Sequence, residues 1–137
     1  MKTAVIVLSH GSKTEGAGDP GQRIIAQVKK RGGHEIVEQA FLQHTLPALM
    51  ETIESCARKN AERIVIVPYF MQPGAHVTRD IPALIEQARK KHPGIEIQMT
   101  DFVGSHPLMA EIVMDLVQRD DCGVRSAECG IKKRKNT

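Results

Sequence analysis

Two short runs, Ala4-Val5-Ile6-Val7-Leu8 and Ile64-Val65-Ile66-Val67-Pro68, constrain the fold more than any other feature of the chain. Each is continuous and β-branched rather than alternating. That is the pattern of a strand buried on both faces, which belongs to a parallel sheet held between helices. Glu35 to Leu42 is strand-like but more polar, and Ile95 to Thr100 alternates, so these two read as edge or less buried strands.

Amphipathic stretches fill the intervals. Leu46, Leu49, Met50 and Ile53 follow helical spacing, as do Ile81, Leu84, Ile85 and Ala88. A shorter stripe of Ile24, Ile25 and Val28 stops at Gly32-Gly33, and a last one carries Leu108, Ile112, Val113, Leu116 and Val117, with Pro107 suited to its first turn. The alternation predicts a β-α-β-α-β-α-β-α chain, an α/β fold whose parallel sheet has helices on both faces. Residues 120–137 lose periodicity and hold five Lys/Arg against three acids, so they read as a mobile basic tail after a domain spanning 1–119. There is no internal repeat.

Several function classes fall away on composition. The longest apolar run, Ala4 to Leu8, is far below the roughly 20 residues of a membrane span. It also leads straight into Ser9-His10-Gly11-Ser12 without a small-residue cleavage site, so no signal peptide is read and a cytoplasmic location is expected. Three cysteines do not make the disulfide framework of a secreted mini-domain. Residues 1–119 carry fourteen bases against thirteen acids, and the whole chain has no Trp, one Tyr and three Phe. Nucleic-acid binding usually needs a basic field or stacking platforms, and neither is present.

In open α/β sheets a ligand binds beyond the carboxyl ends of the strands, where strand order reverses. The loops to inspect follow Leu8, Leu42, Tyr69 and Thr100. They contain Ser9-His10-Gly11-Ser12-Lys13, Gln43-His44, Met71-Gln72-Pro73-Gly74-Ala75-His76 and Gly104-Ser105-His106, which gathers four of the six histidines on one edge. His10 follows the best strand, and Gly11 permits a sharp turn and close approach of a ligand. His76 lies in a loop stiffened by Pro73 and given freedom in φ by Gly74. With strand order 2-1-3-4, His10 and His76 converge at the switch point. Two neutral imidazoles suit iron, cobalt, nickel or zinc but do not fill a coordination sphere, which fits an open or transient site rather than a closed structural one. The bland alternative is that each histidine only stabilises its loop by hydrogen bonding.

Other motifs are weaker. Gly16-Ala17-Gly18-Asp19-Pro20-Gly21 matches G-x-G-x-x-G, yet Gly16 comes eight positions after Leu8 and Pro20 sits inside the motif. Gly11-Ser12-Lys13-Thr14 lacks the order of a P-loop, so ATP use is unsupported. His106 reads as a residue at a helix start, His34 and His92 as exposed, and Cys56 as core. Cys122 and Cys129 have no standard ligand spacing.

Taken together, Leu8-Ser9-His10-Gly11-Ser12, Ala40-Phe41-Leu42-Gln43 leading to Pro47, Val67-Pro68-Tyr69-Phe70 with Gly74-Ala75-His76-Val77 and Asp80-Ile81-Pro82, and Gly104-Ser105-His106-Pro107 resemble the small sirohydrochlorin chelatases of the CbiX type. The resemblance covers about residues 3–119. It implies a three-layer α/β/α chelatase-like domain with a four-stranded parallel sheet. The implied activity is ATP-independent insertion of Co2+, or Fe2+ or Ni2+, into sirohydrochlorin for cobalamin or sirohaem. No organic cofactor is implied; the metal is a substrate.

Larger relatives look like two such halves in one chain, so the resemblance implies a homodimer here. His10 and His76 match the positions the family uses to bind the metal and assist deprotonation. Ser12, Lys13, Gln43, His44, Gly74 and Arg79 are placed by position to hold the carboxylate-rich macrocycle. One departure is Gln43, where relatives often carry an acid; an amide can hydrogen-bond but cannot accept a proton or neutralise a cation. The alternatives are a metal-binding or delivery protein without turnover, and a nucleotide-binding regulatory domain using Gly16 to Gly21.

Overall fold

The computed structural model describes residues 1–11, 20–42, 46–72 and 74–119. The chain divides into two compact units, Met1–Ser105 and His106–Thr137. The first contains β1 (Thr3–Ser9), α1 (Pro20–Arg31), β2 (Ile36–Phe41), α2 (Leu49–Arg58), β3 (Arg63–Pro68), α3 (Ala75–Lys91), β4 (Glu96–Met99) and a 3-10 turn, Val103–Ser105. The expected α/β fold is observed: four parallel strands in the order β2-β1-β3-β4. The two continuous apolar runs are the central strands, and the two more polar ones are the edges.

Register explains the core. Ala4, Ile6 and Leu8 align with Ile64, Ile66 and Pro68 on one side of β1 and with Ile36, Glu38 and Ala40 on the other. Side chains alternate across a sheet, so Ala4, Ile6, Leu8, Ile64, Ile66 and Ile97 share one face. They form a buried cluster with Leu49, Ile53 and Cys56 of α2 and Ile81, Ile85 and Ala88 of α3. Each fully buried Ile or Leu contributes about 1.5–3 kcal/mol relative to exposure. Right-handed crossovers put α1, which connects leftward from β1 to β2, on the opposite face from α2 and α3, which connect rightward. There Val7 and Val37 are buried and Val5, Val65 and Val67 half-buried.

Polar groups tie helices to strands. The buried Thr52 hydroxyl donates to the Gln39 carbonyl at 3.1 Å, and Arg89 donates from Nε and a terminal nitrogen to the Ile97 carbonyl at 3.1 and 2.8 Å, covering the outer edge of β4. Glu38 accepts from Ser55 and pairs with Lys59, and the carboxylate hydrogen bond raises the Lys59 pKa.

Two expectations are corrected here. Leu46 does not belong to the α2 stripe: the helix begins at Leu49, and Leu46 is 74% exposed ahead of it. The residue before a proline is disfavoured in the α region, and Pro47 follows it. His92 is not exposed; it is half-buried at the carboxyl end of α3, with Nε2 3.2 Å from the Glu54 carboxylate. Lys91 also pairs with Glu54, and those hydrogen bonds hold the Glu54 carboxyl below its ordinary pKa.

In the second unit, α4 (Leu108–Gln118) has no buried residue, and His106 stands at its start as expected, its Nδ1 accepting from the Leu108 N–H at 3.0 Å. Among the described residues no helix is long and apolar enough to cross a membrane. Residues 120–137, including Cys122 and Cys129, lie outside the described residues.

Candidate metal and tetrapyrrole site

The strand order reverses between β1 and β3, because the chain leaves β1 toward β2 and then returns to add β3 and β4 on the other side. β1 is held by both neighbours to its last residues. The Leu8 carbonyl accepts from Tyr69 N–H at 2.7 Å, and the Ser9 carbonyl from Leu42 N–H at 3.0 Å. His10 therefore leaves the sheet from a fixed point, and Gly11 turns the chain at φ 95°, in the left-handed region that favours glycine.

Beside His10 lies a cleft of about 510 Å³ lined by His10, Tyr69, Phe70, Met71, Gln72 and Gly104. Its walls come from the ends of β1 and β3, as the switch-point argument requires. The exposed His10 imidazole packs on the ring of the buried Phe70, with centroids 4.7 Å apart and planes inclined at 49°. The Phe70 carbonyl accepts from Gly104 N–H at 2.9 Å. A Cβ on Gly104 would stand 2.6 Å from both the Cα and the carbonyl carbon of Met71, so the backbone at 104 seats directly on the wall of the cleft. The Ser9 hydroxyl is buried without a hydrogen-bond partner among the described residues.

His76 is the second residue of α3, directly beyond the loop that follows β3; the structure describes its backbone only. His10 and His76 thus stand on segments leaving the carboxyl ends of adjacent strands. Gly74 is the N-cap of α3 at φ −72° and ψ 166°, ordinary extended backbone, so the sequence expectation that it supplies unusual φ freedom is corrected. Arg79 is exposed on the same helix. Ser12, Lys13, Gln43 and His44 lie outside the described residues, as do Gly16 and Gly18, while Pro20 and Gly21 open α1. Among the described residues no group of three or more His, Cys, Asp or Glu converges as a metal cage.

Sequence reasoning located the loops but not the aromatic support of His10. An aromatic pair directly after a central strand, Tyr69-Phe70, was the available signal; seeing its partner needs the β1–β3 register. Cys56 is core as read, fully buried on α2, where burial pushes its thiol pKa up to about 12.

Comparison with known proteins agrees with this fold. The family model CbiX matches residues 4–120. The chloroplastic sirohydrochlorin ferrochelatase of Arabidopsis thaliana is 31% identical over 83% of this chain and 51% of its own length. The sirohydrochlorin cobaltochelatase of Saccharolobus solfataricus is 30% identical over 82% of this chain and 91% of its own. The crystal structure of the sirohydrochlorin chelatase SirB from Bacillus subtilis subspecies spizizenii in complex with cobalt superposes with a TM-score of 0.75 at 26% identity, covering 85% of this chain and 50% of that one. The chain thus spans about half the length of the plant relative and of SirB. With the family model matching nearly all of the described domain and the fold concordant, this chain belongs to the CbiX family.

Proposed function

We propose that the protein inserts a divalent metal, Co2+ ahead of Fe2+, into sirohydrochlorin without ATP. The observation that carries the reading is His10 at the switch-point cleft, with both ring nitrogens free of hydrogen-bond partners among the described residues. A chelatase must release its metal, so an open site of one or two imidazoles suits it better than a closed cage.

Insertion transfers M2+ to the macrocycle nitrogens as two pyrrolic protons leave. A neutral imidazole has one free lone pair, which can bind a metal or accept a proton, so His10 and His76 serve first as metal ligands and, once the metal has passed to the macrocycle, as proton acceptors. The substrate's carboxylates are held by Lys13 and Arg79, by donors around Ser12, Gln43 and His44, and by the backbone at Gly74. The amino end of α3, with no acid in its first turn, favours negative charge there. Two copies of the chain take the place of the longer relatives' single chain, which predicts about twice the 15.1 kDa chain mass in solution, read by light scattering.

The test is anaerobic. Purified protein is mixed with sirohydrochlorin and Co2+ or Fe2+, the macrocycle absorption is followed, and His10→Ala and His76→Ala are compared with wild type. Acceleration over the spontaneous rate that both substitutions abolish is expected, faster with Co2+. No acceleration with either metal refutes the chelatase and leaves metal delivery without turnover.

A further inference from the structure

We infer that Phe70 is a positioning residue for His10, setting the direction in which the imidazole offers its nitrogens to the metal; this rests on the reading of His10 as a metal ligand. Metal-binding histidines usually fix their ring by donating the second N–H to a carboxylate or carbonyl. Among the described residues His10 has no such partner. Its ring contact is with Phe70, at 4.7 Å and 49°, within the range of favourable aromatic pairs.

Phe70 is itself buried. Its side chain is 6% exposed and joins the core cluster with Ile66 and Ile81. Its carbonyl is held by Gly104 N–H, and Gly104 in turn seats against Met71. The imidazole thus packs at a tilt on a buried ring while His10 itself stays exposed at the cleft it lines. Support of this kind orients the ligand without using its lone pair or its N–H, so the one free lone pair of the neutral imidazole stays available to the metal.

The experiment is a double-mutant cycle on the full chain, titrated with Co2+ alone. Phe70→Leu keeps apolar bulk and removes the aromatic face; Co2+ affinity falls about two- to tenfold, the weight of one aromatic pair, and kcat falls. In a His10→Ala background the same substitution has no further effect on Co2+, and Phe70→Tyr, which keeps the ring, restores affinity to within about twofold of wild type. A lower unfolding midpoint with unchanged Co2+ affinity, or an equal loss with and without His10, overturns the inference. A proton NMR measurement on the wild-type protein needs no variant to fold: cross-peaks between the His10 and Phe70 rings are expected with and without Zn2+, and their absence overturns the inference too. If His10→Ala itself leaves Co2+ affinity unchanged, the metal-ligand reading fails, a result distinct from failure of the Phe70 step alone.

Discussion

Adding a single methyl group at Gly104 is the sharpest structural perturbation available near the cleft. In Gly104→Ala the new Cβ stands 2.6 Å from the Cα and carbonyl carbon of Met71 and closer still to its oxygen, all of it backbone. Comfortable carbon–carbon contact needs about 3.5–4.0 Å, so one segment must move by about 1 Å. That displacement breaks the 2.9 Å hydrogen bond from Gly104 to the Phe70 carbonyl, worth about 1 kcal/mol. Strain of the overpacking kind adds about 1–3 kcal/mol. The expected total is about 2–4 kcal/mol, read as a urea midpoint lowered by about 1–2 M for a domain of this size. Because Met71 lines the cleft, the proposed metal insertion is expected to slow as well. Gly74→Ala is the control: its Cβ meets nothing within 4 Å and its backbone suits any residue, so its cost stays below about 1 kcal/mol. Equal midpoints for Gly104→Ala and wild type would refute the packing argument.

Elsewhere, Ile53→Ala empties a fully buried position on α2 and is expected to cost about 2–5 kcal/mol by denaturant unfolding. The Cys56 thiol, raised from 9.0 to about 12 by burial and then by the Glu38 charge, stays protonated in the fold while the unfolded chain ionises. Its contribution is therefore complete below pH 9 and is lost toward pH 12, by about 1.4 kcal/mol per pH unit; urea midpoints of Cys56→Ala at pH 8 and 10 should fall less than wild type, and parallel declines would count against the assignment. Glu38→Gln, which breaks a partly exposed pair with Lys59, is expected to cost no more than about 1 kcal/mol, less at high salt. Gln43→Glu is expected to tighten Co2+ binding and speed insertion; a variant unchanged in both would remove that position from the site.

The central strands were legible because burial on both faces leaves no room for polar residues in Ala4–Leu8 or Ile64–Val67, and the loops after them followed from topology alone. Boundaries were less legible where two local rules compete. Leu46 matched helical spacing to Leu49, but spacing alone does not register the steric demand of Pro47. His92 looked like a loop residue ahead of β4, and its partner Glu54 is on another helix, a pairing no local pattern encodes. His10 was found by its place after β1, whereas its support by Phe70 depends on the alignment of two strands far apart in sequence. Cys56, in contrast, was readable from helical spacing because its role is burial alone.

The cleft draws its walls from just beyond the carboxyl ends of the parallel pair β1 and β3, with Gly104 added from beyond β4. A growing chain emerging from the ribosome therefore carries His10 long before it has anything to stand against. A β1–β2 fragment, however well ordered, displays an unsupported imidazole on a loop. The cleft comes into being only when β3 pairs with β1 and the 3-10 turn beyond β4 seats on Met71. On the proposed function, metal binding at this cleft thus begins only once β3 and the turn at Gly104 are in place, late in the order of synthesis.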